Sequence, residues 1–195
     1  MIFPAKYLDA RTFTLTSETL TEITEYGLNV EVAKRGNPHR WNIEFRTIPL
    51  DHANMRGLNA FLNSLDGRYE TFTMTSPLPW LSTATNISIG ASWAAGSSQI
   101  DVFTNVLNET GVVSAGEIFK FTNHDKVYEV QEDADSDGSG VATLKLTPNL
   151  FEAVGTGDTL VKAVFSLRLT KDKTALTLDA NKLSVPVVIT AVENV

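Results

Sequence analysis

Three carboxylates at alternating positions, Asp133, Asp135 and Asp137, followed by Gly138, are the side chains of this chain best spaced for chemistry. Hard oxygen ligands in that order, with a glycine at the sharp turn, open a calcium loop of the EF-hand kind. The pattern then breaks. Its twelfth position is Leu144, where a bidentate Glu is needed, and no amphipathic helix flanks it. The expectation is a solvated hairpin turn and no bound metal. The histidines, His39, His52 and His124, lie far apart, and none has a partner at metal-ligand spacing. His39 and His124 read as turn residues and His52 as a helix start, each with a plain surface role. No serine sits in a Gly-x-Ser-x-Gly elbow. Catalytic, cofactor-binding and metal-binding residues are therefore all expected to be absent, and the chain reads as a scaffold part and not an enzyme.

The tryptophans offer a different chemistry, because an indole face can stack on a sugar or fill an interface. Trp41 shares a face with Ile43 and Phe45, so packing is its expected role. Trp80 and Trp93 flank the start of a run of short strands. They read as a domain-junction or inter-subunit contact ahead of a sugar platform.

Composition narrows the partners. The absence of cysteine excludes disulfides and thiol nucleophiles, and with a net charge of −7 a phosphate-gripping face is not expected. Specific nucleic-acid binding is not expected, and an acidic surface would let DNA slide past. Hydrophobic residues make up 43% of the chain, enough for a folded core, but no apolar run is long enough to span a bilayer. The opening residues Met1-Ile2-Phe3-Pro4-Ala5-Lys6 lack a basic stretch before a long apolar core, so no signal peptide is expected.

These residues must be carried by short β-strands. Segments 87–89, 100–103, 118–122, 127–131, 142–146 and 159–161 are apolar or alternating. Glycine-rich turns such as Gly96-Ser97-Ser98 and Gly155-Thr156-Gly157-Asp158 separate them. Regular punctuation of this kind predicts a sandwich or barrel. Before it, Phe13 and Leu15 alternate with threonines, and Leu28, Val30 and Val32 alternate with polar residues. Lys34-Arg35-Gly36-Asn37-Pro38 reads as the turn of a hairpin that continues through Trp41, Ile43 and Phe45. A helix is predicted over 51–65, with Met55, Leu58, Phe61, Leu62 and Leu65 as its apolar stripe. Asp51 reads as its N-cap and Gly67 as its stop. A strand follows over 69–75, with Phe72 and Met74 on one face. After the barrel, Phe165, Leu167 and Leu169 alternate with polar residues. Segments 176–178 and 183–189 read as further strands, with Pro186 hinting at a sheet edge. The fold expected is mainly β: a discontinuous sandwich-like domain with one helix, residues 1–79 and 164–195, and an inserted barrel, residues 80–163.

The order of hairpin, amphipathic helix with Leu58-Asn59-Ala60-Phe61-Leu62, Gly67, the Tyr69–Met74 strand and inserted barrel resembles the distal tail proteins of long-tailed bacteriophages. It is most similar to the T5-like subtype. The specific stretch is Ala115-Gly116-Glu117-Ile118-Phe119-Lys120-Phe121-Thr122-Asn123-His124-Asp125-Lys126-Val127-Tyr128, continued by Leu144-Lys145-Leu146-Thr147-Pro148-Asn149-Leu150-Phe151. The resemblance implies that the insertion is an oligonucleotide/oligosaccharide-binding (OB) type barrel. It implies a virion protein of the tail tip or baseplate, made in the host bacterial cytoplasm. Copies of the chain, six by family habit, would form a ring with the tail tube protein on one side and the tip hub protein on the other. The competing expectation is a carbohydrate-binding adhesin of the same tail tip, with host-surface carbohydrate as its partner.

Overall fold

A computed structural model describes residues 1–26, 30–172 and 185–194, with only the backbone described over 20–38. In chain order the elements are a 3-10 turn Ala5–Tyr7, β1 Leu8–Tyr26, β2 Val30–Thr47 and the helix α1 His52–Ser64. Then come β3 Thr71–Thr75, β4 Ser88–Ile89, β5 Gln99–Phe103, β6 Ile118–Phe121, β7 Val127–Val130 and β8 Val141–Thr147. The series ends with β9 Leu160–Lys162, β10 Val164–Leu169 and β11 Val188–Glu193. The protein is thus mainly β with one helix among the described residues. It divides into two compact units, Met1–Met74 with Ser166–Asn194, and Thr75–Phe165.

The first unit holds a sheet of order β1-β2-β11-β10-β3. Its buried face carries Trp41, Ile43, Phe45, Phe72, Leu167, Ile189 and Ala191. The helix lays Leu58, Leu62 and Leu65 into this core. Asp51 caps it, its carboxylate accepting from Asn54 N at 2.8 Å. Phe3 joins the two layers, packing edge-on against Phe45 at 5.0 Å and Phe61 at 5.5 Å. Gly57 costs the helix intrinsic stability, but a Cβ there would meet the Tyr7 hydroxyl oxygen at 2.5 Å. The glycine lets buried Tyr7 lie against the helix.

The β1–β2 hairpin departs from the sequence reading. Gly36-Asn37-Pro38 does not turn the chain, because β2 runs unbroken through it. The register passes from Thr19↔His39 to Thr21↔Arg35, so three residues of β2 stand opposite Leu20 alone. The turn-forming residues make a bulge, since a Pro without an N–H is tolerated where the ladder is interrupted. A second irregularity lies between Asp9 and Thr14. There the Thr12 hydroxyl replaces a ladder partner, accepting from Arg46 N at 2.8 Å and donating to Asp9 O at 2.9 Å.

Pro186 does not mark an edge strand. It precedes β11, which lies between β2 and β10, so its missing N–H falls before the ladder begins. The strand expected over 176–178, and the first residues of that expected over 183–189, lie outside the described residues.

The second unit is a six-stranded antiparallel sheet of order β4-β5-β8-β7-β6-β9 that curls into a nearly closed barrel. An antiparallel bridge, Ser88↔Thr159, joins its two ends, flanked by Ile89 N to Asp158 O at 2.9 Å and Leu160 N to Ile87 O at 3.0 Å. Each strand sends alternate residues inward. Ile100 and Val102, Phe119 and Phe121, Tyr128 and Val130, and Ala142, Leu144 and Leu146 fill one apolar core. Phe119 and Phe121 meet edge-on at 5.3 Å.

Candidate functional site

The carboxylates of the calcium-like motif face three separate backbone targets. Asp133 accepts from Ala115 N at 2.8 Å and Asp135 from Gly111 N at 2.7 Å. Asp137 accepts from Val141 N at 2.9 Å and Ser139 N at 2.8 Å. These bonds, that from Val141 foremost, hold the Asp137 carboxyl below its ordinary value. The motif is more than a solvated turn. Ala134 and Ser136 are buried and bridge Val113 and Ala142, and only 137–140 forms the hairpin turn. Alternation serves strand geometry here: the small residues point inward and the acids fasten neighbouring loops. Among the described residues, no group of three His, Asp or Glu side chains is arranged to hold a metal ion.

Two of the three histidines are not surface residues. His39 lies within β2, 7% exposed, its Nε2 2.9 Å from Ser17 Oγ and its ring edge-on to Trp41 at 4.8 Å. His124 is 9% exposed beneath the β6–β7 turn. Its Nε2 lies 2.8 Å from Tyr128 Oη and its Nδ1 2.8 Å from Asn123 Oδ1. Both sit beside polar residues in the sequence, but the His39 ring packs on Trp41 of its own strand and the His124 ring on Phe121 of β6 and Tyr128 of β7. His52 stands at the first position of α1, as expected.

Glu117 is the residue that sequence reasoning passed over. It is 5% exposed and accepts from Leu81 N at 2.5 Å, Ser82 N at 2.7 Å and Ser82 Oγ at 3.0 Å. Ser82 Oγ in turn accepts from Ser114 N at 2.9 Å. One carboxylate thus anchors the segment entering the barrel to the start of β6. The only signal was its place in the Gly116-Glu117-Ile118 phrase. On β7, burial raises the Glu129 carboxyl above its ordinary value.

Trp80 and Trp93 both pack on the barrel core. Trp80 Nε1 donates to Ala84 O at 3.0 Å. The backbone of Trp93 exchanges bonds with Val154 at 2.9 and 3.0 Å. Trp80, Asn86, Ile87, Leu160 and Lys162 line a cavity of about 190 Å³ beside the barrel seam. In the other unit a cleft of about 660 Å³ gathers Arg40, Arg68, Tyr69, Arg168 and Asp172. Its charges are largely engaged: Arg68 pairs with Asp172 at 3.0 Å, and Arg168 bonds Asn194.

The feature of the first unit that can act on a partner is backbone. β11 pairs with β2 from Arg46 to Asn42, while β1 and β2 pair on to Tyr26↔Val30. Among the described residues, the ribbon beyond Asn42 has no further strand beside it. The β3 edge is covered, because Phe3 N donates to Thr73 O at 2.9 Å and Thr73 N to Met1 O at 2.7 Å. The β1 edge stands at the rim of the sheet order. Arg46 N points toward β1 and Trp41 N away from it, toward Glu193. Alternation then faces the Thr14 and Thr16 amides to β2 and the Leu15, Ser17 and Thr19 amides outward.

Residues 82–166 match the family model described as Distal tail protein pb9, B domain. The match supports a phage distal tail protein, the family the sequence resembles, and with it a structural role in assembly with other tail proteins and a place in the virion tail. No curated protein matches the chain. Among the described residues no helix is long and apolar enough to cross a membrane.

Proposed function

We propose that this chain is the distal tail ring: copies of it, six by family resemblance, close into a ring that joins the tail tube to the tip hub. In this reading residues 1–79 with 164–195 make the ring and residues 80–163 are an inserted OB-type barrel. Trp80 and Trp93 serve the junction between them or a contact between subunits.

The observation that carries the reading is the β1–β2 ribbon. A two-stranded ribbon is marginal in water, and an open edge is a template for another strand. A neighbouring copy would satisfy both needs, and a repeated contact of one kind closes into a ring when its rotation divides a full turn. The net charge of −7 suits a channel for DNA, since phosphates are repelled from an acidic wall.

Electron microscopy and light scattering of the purified full chain test this. Rings of uniform subunit number are expected, and a monomer at tens of micromolar overturns the reading. Thr19→Pro removes an outward amide while leaving the inward ladder of β1 intact. It is expected to abolish rings with the circular dichroism spectrum unchanged.

A further inference from the structure

The large cleft of the first unit holds more positive charge than the described residues around it balance. Arg40, Arg68 and Arg168 line it beside the exposed Tyr69. Arg68 is neutralised by Asp172, with both side chains open to solvent. Arg168 bonds the neutral amide of Asn194, which leaves its charge uncompensated. Arg40 is exposed and, among the described residues, makes no hydrogen bond or ion pair. Its register partner on β1, Glu18, accepts instead from Asn42 Nδ2 at 2.6 Å. Of the acids in the lining, Glu193 is buried and accepts from Trp41 N at 3.3 Å, and Asp172 is taken by Arg68. Asp66 alone is left to offset Arg40 and Arg168.

The far end of the β1–β2 ribbon has the opposite surplus. Residues 23–33 contain two acids, Glu25 and Glu31, and no base. The register pairs Glu22 with Lys34 but sets Glu25 opposite Glu31. Like charges at directly opposed positions of an antiparallel pair destabilise it, so the ribbon end gains from an external cation. The cleft of the same copy is out of reach. Glu25 stands seven positions along β1 from Glu18, the register partner of Arg40, or about 23 Å at the usual rise of a strand. That is farther than a Glu and an Arg side chain span together.

We propose that the acidic end of the ribbon, Glu25 with Glu31, docks into the Arg40–Arg168 cleft of a second copy of this chain. The inference rests on the ring reading above and names a contact for it. A guanidinium meets a carboxylate through two parallel N–H donors, which gives such a pair direction as well as charge. Arg40 takes one ribbon carboxylate and Arg168 the other. The repulsion between Glu25 and Glu31 and the surplus in the cleft are then relieved together. Tyr69, 78% exposed in the cleft lining, offers an aromatic surface for the incoming ribbon to cover. The two surfaces differ, so the contact is head to tail: each copy gives its ribbon to one neighbour and its cleft to the other. Contacts of that kind build rings, whereas a patch that meets itself builds two-fold dimers.

Charge reversal in the full chain tests the match, read by light scattering and electron microscopy at a concentration where the wild type is assembled. Arg40→Glu with Arg168→Glu sets an acidic cleft against an acidic ribbon. Glu25→Lys with Glu31→Lys sets a basic ribbon against a basic cleft, and it keeps a like-charge pair within the ribbon. Each double variant is expected to be monomeric with the circular dichroism spectrum of the wild type. Mixed in equal amounts, the two variants are complementary at every contact, and rings in which they alternate are expected to return. Should a variant misfold, the salt dependence of the wild type decides. The dissociation constant of the assembly is expected to rise about tenfold or more between about 0.1 M and about 1 M salt, as the Debye length falls from about 10 Å to about 3 Å. Double variants that still assemble, a mixture that stays monomeric, or wild-type rings indifferent to salt overturn the docking and leave the ring reading standing. A monomeric wild type overturns the ring reading and this contact with it.

Discussion

The barrel and the sheet-and-helix unit treat their strand edges in opposite ways. In the barrel the last strand returns to the first, and Ser88↔Thr159 seals the seam. Its loops are tied down by carboxylates: Glu117 holds 81–82, Asp133 holds 115, Asp135 holds 111 and Asp137 holds 139–141. In the other unit one edge is covered by Met1–Phe3, and the other, β1, runs on as a ribbon past the end of its neighbour. A closed sheet has spent its backbone hydrogen bonds internally, whereas an open one has some left for a partner. In the proposed reading, assembly falls to the open unit and the barrel needs no partner strand.

The largest effect that could break this comparison is on oligomerisation. Deleting 84–162 across a short Gly/Ser bridge is expected to leave rings intact by light scattering and microscopy. A fragment of residues 80–163 is expected to melt cooperatively as a monomer. If the deletion variant is monomeric while the fragment forms rings, the two roles are reversed.

Within the barrel the largest loss is expected at Glu117. Truncation to Ala strands the buried Ser82 amide, and an unsatisfied buried donor costs about 1–3 kcal/mol. Glu117→Ala is therefore expected to lower unfolding stability by about 1–3 kcal/mol. Glu117→Gln, which can still accept through its amide oxygen, is expected to lose much less. Urea denaturation measures both, and equal losses would show that charge and not acceptor geometry matters at this site.

Next comes the β8 hairpin turn. Gly140 has φ +74°, and a Cβ there would lie 2.9 Å from Thr104 O. A non-glycine residue in this region costs about 1–3 kcal/mol. Gly140→Ala is expected to fall in that range by the same denaturation. At the first turn of α1, Asp51→Ala loses the bond to Asn54 N, and a lost N-cap costs about 1 kcal/mol.

The same contrast governs what the sequence could reveal. The barrel strands are legible because each one is short, alternates and ends at a turn. The turn glycines Gly96, Gly116, Gly140 and Gly157 do adopt positive φ. Local pattern and local structure coincide there. In the ribbon they part, because Gly36-Asn37-Pro38 carries turn chemistry wherever it occurs. Only the distant register of Thr19 and Thr21 makes it a bulge. Trp41 was legible from alternation alone, and the helix from its stripe and its cap. The burial of His39 and His124 was not, because it depends on Trp41, Phe121 and Tyr128 closing over rings that lie next to polar residues in the chain. Glu117 was illegible as an anchor for the same reason: its targets are thirty-five and thirty-six positions away.

The smallest effect expected concerns Asp137, and it probes how tightly the acids fasten the barrel loops. Its carboxylate is held below the ordinary 3.8, first by the Val141 amide and then by that of Ser139. A carboxyl with a depressed folded pKa contributes stability that is present above its unfolded value and disappears as pH falls through the folded one. Asp137→Asn keeps an oxygen that can accept from Ser139 and Val141 but carries no charge. The wild type is therefore expected to melt slightly above the variant at neutral pH. The gap should narrow as pH drops below about 3.8. The group is fully exposed, so solvent screens much of the benefit and the gap stays small. Paired thermal melts between pH 7 and pH 3 measure it. A gap that widens on acidification would mean that the Asp137 carboxylate is not what pins the turn, and that the loop-fastening role given to the acids fails at its most exposed member.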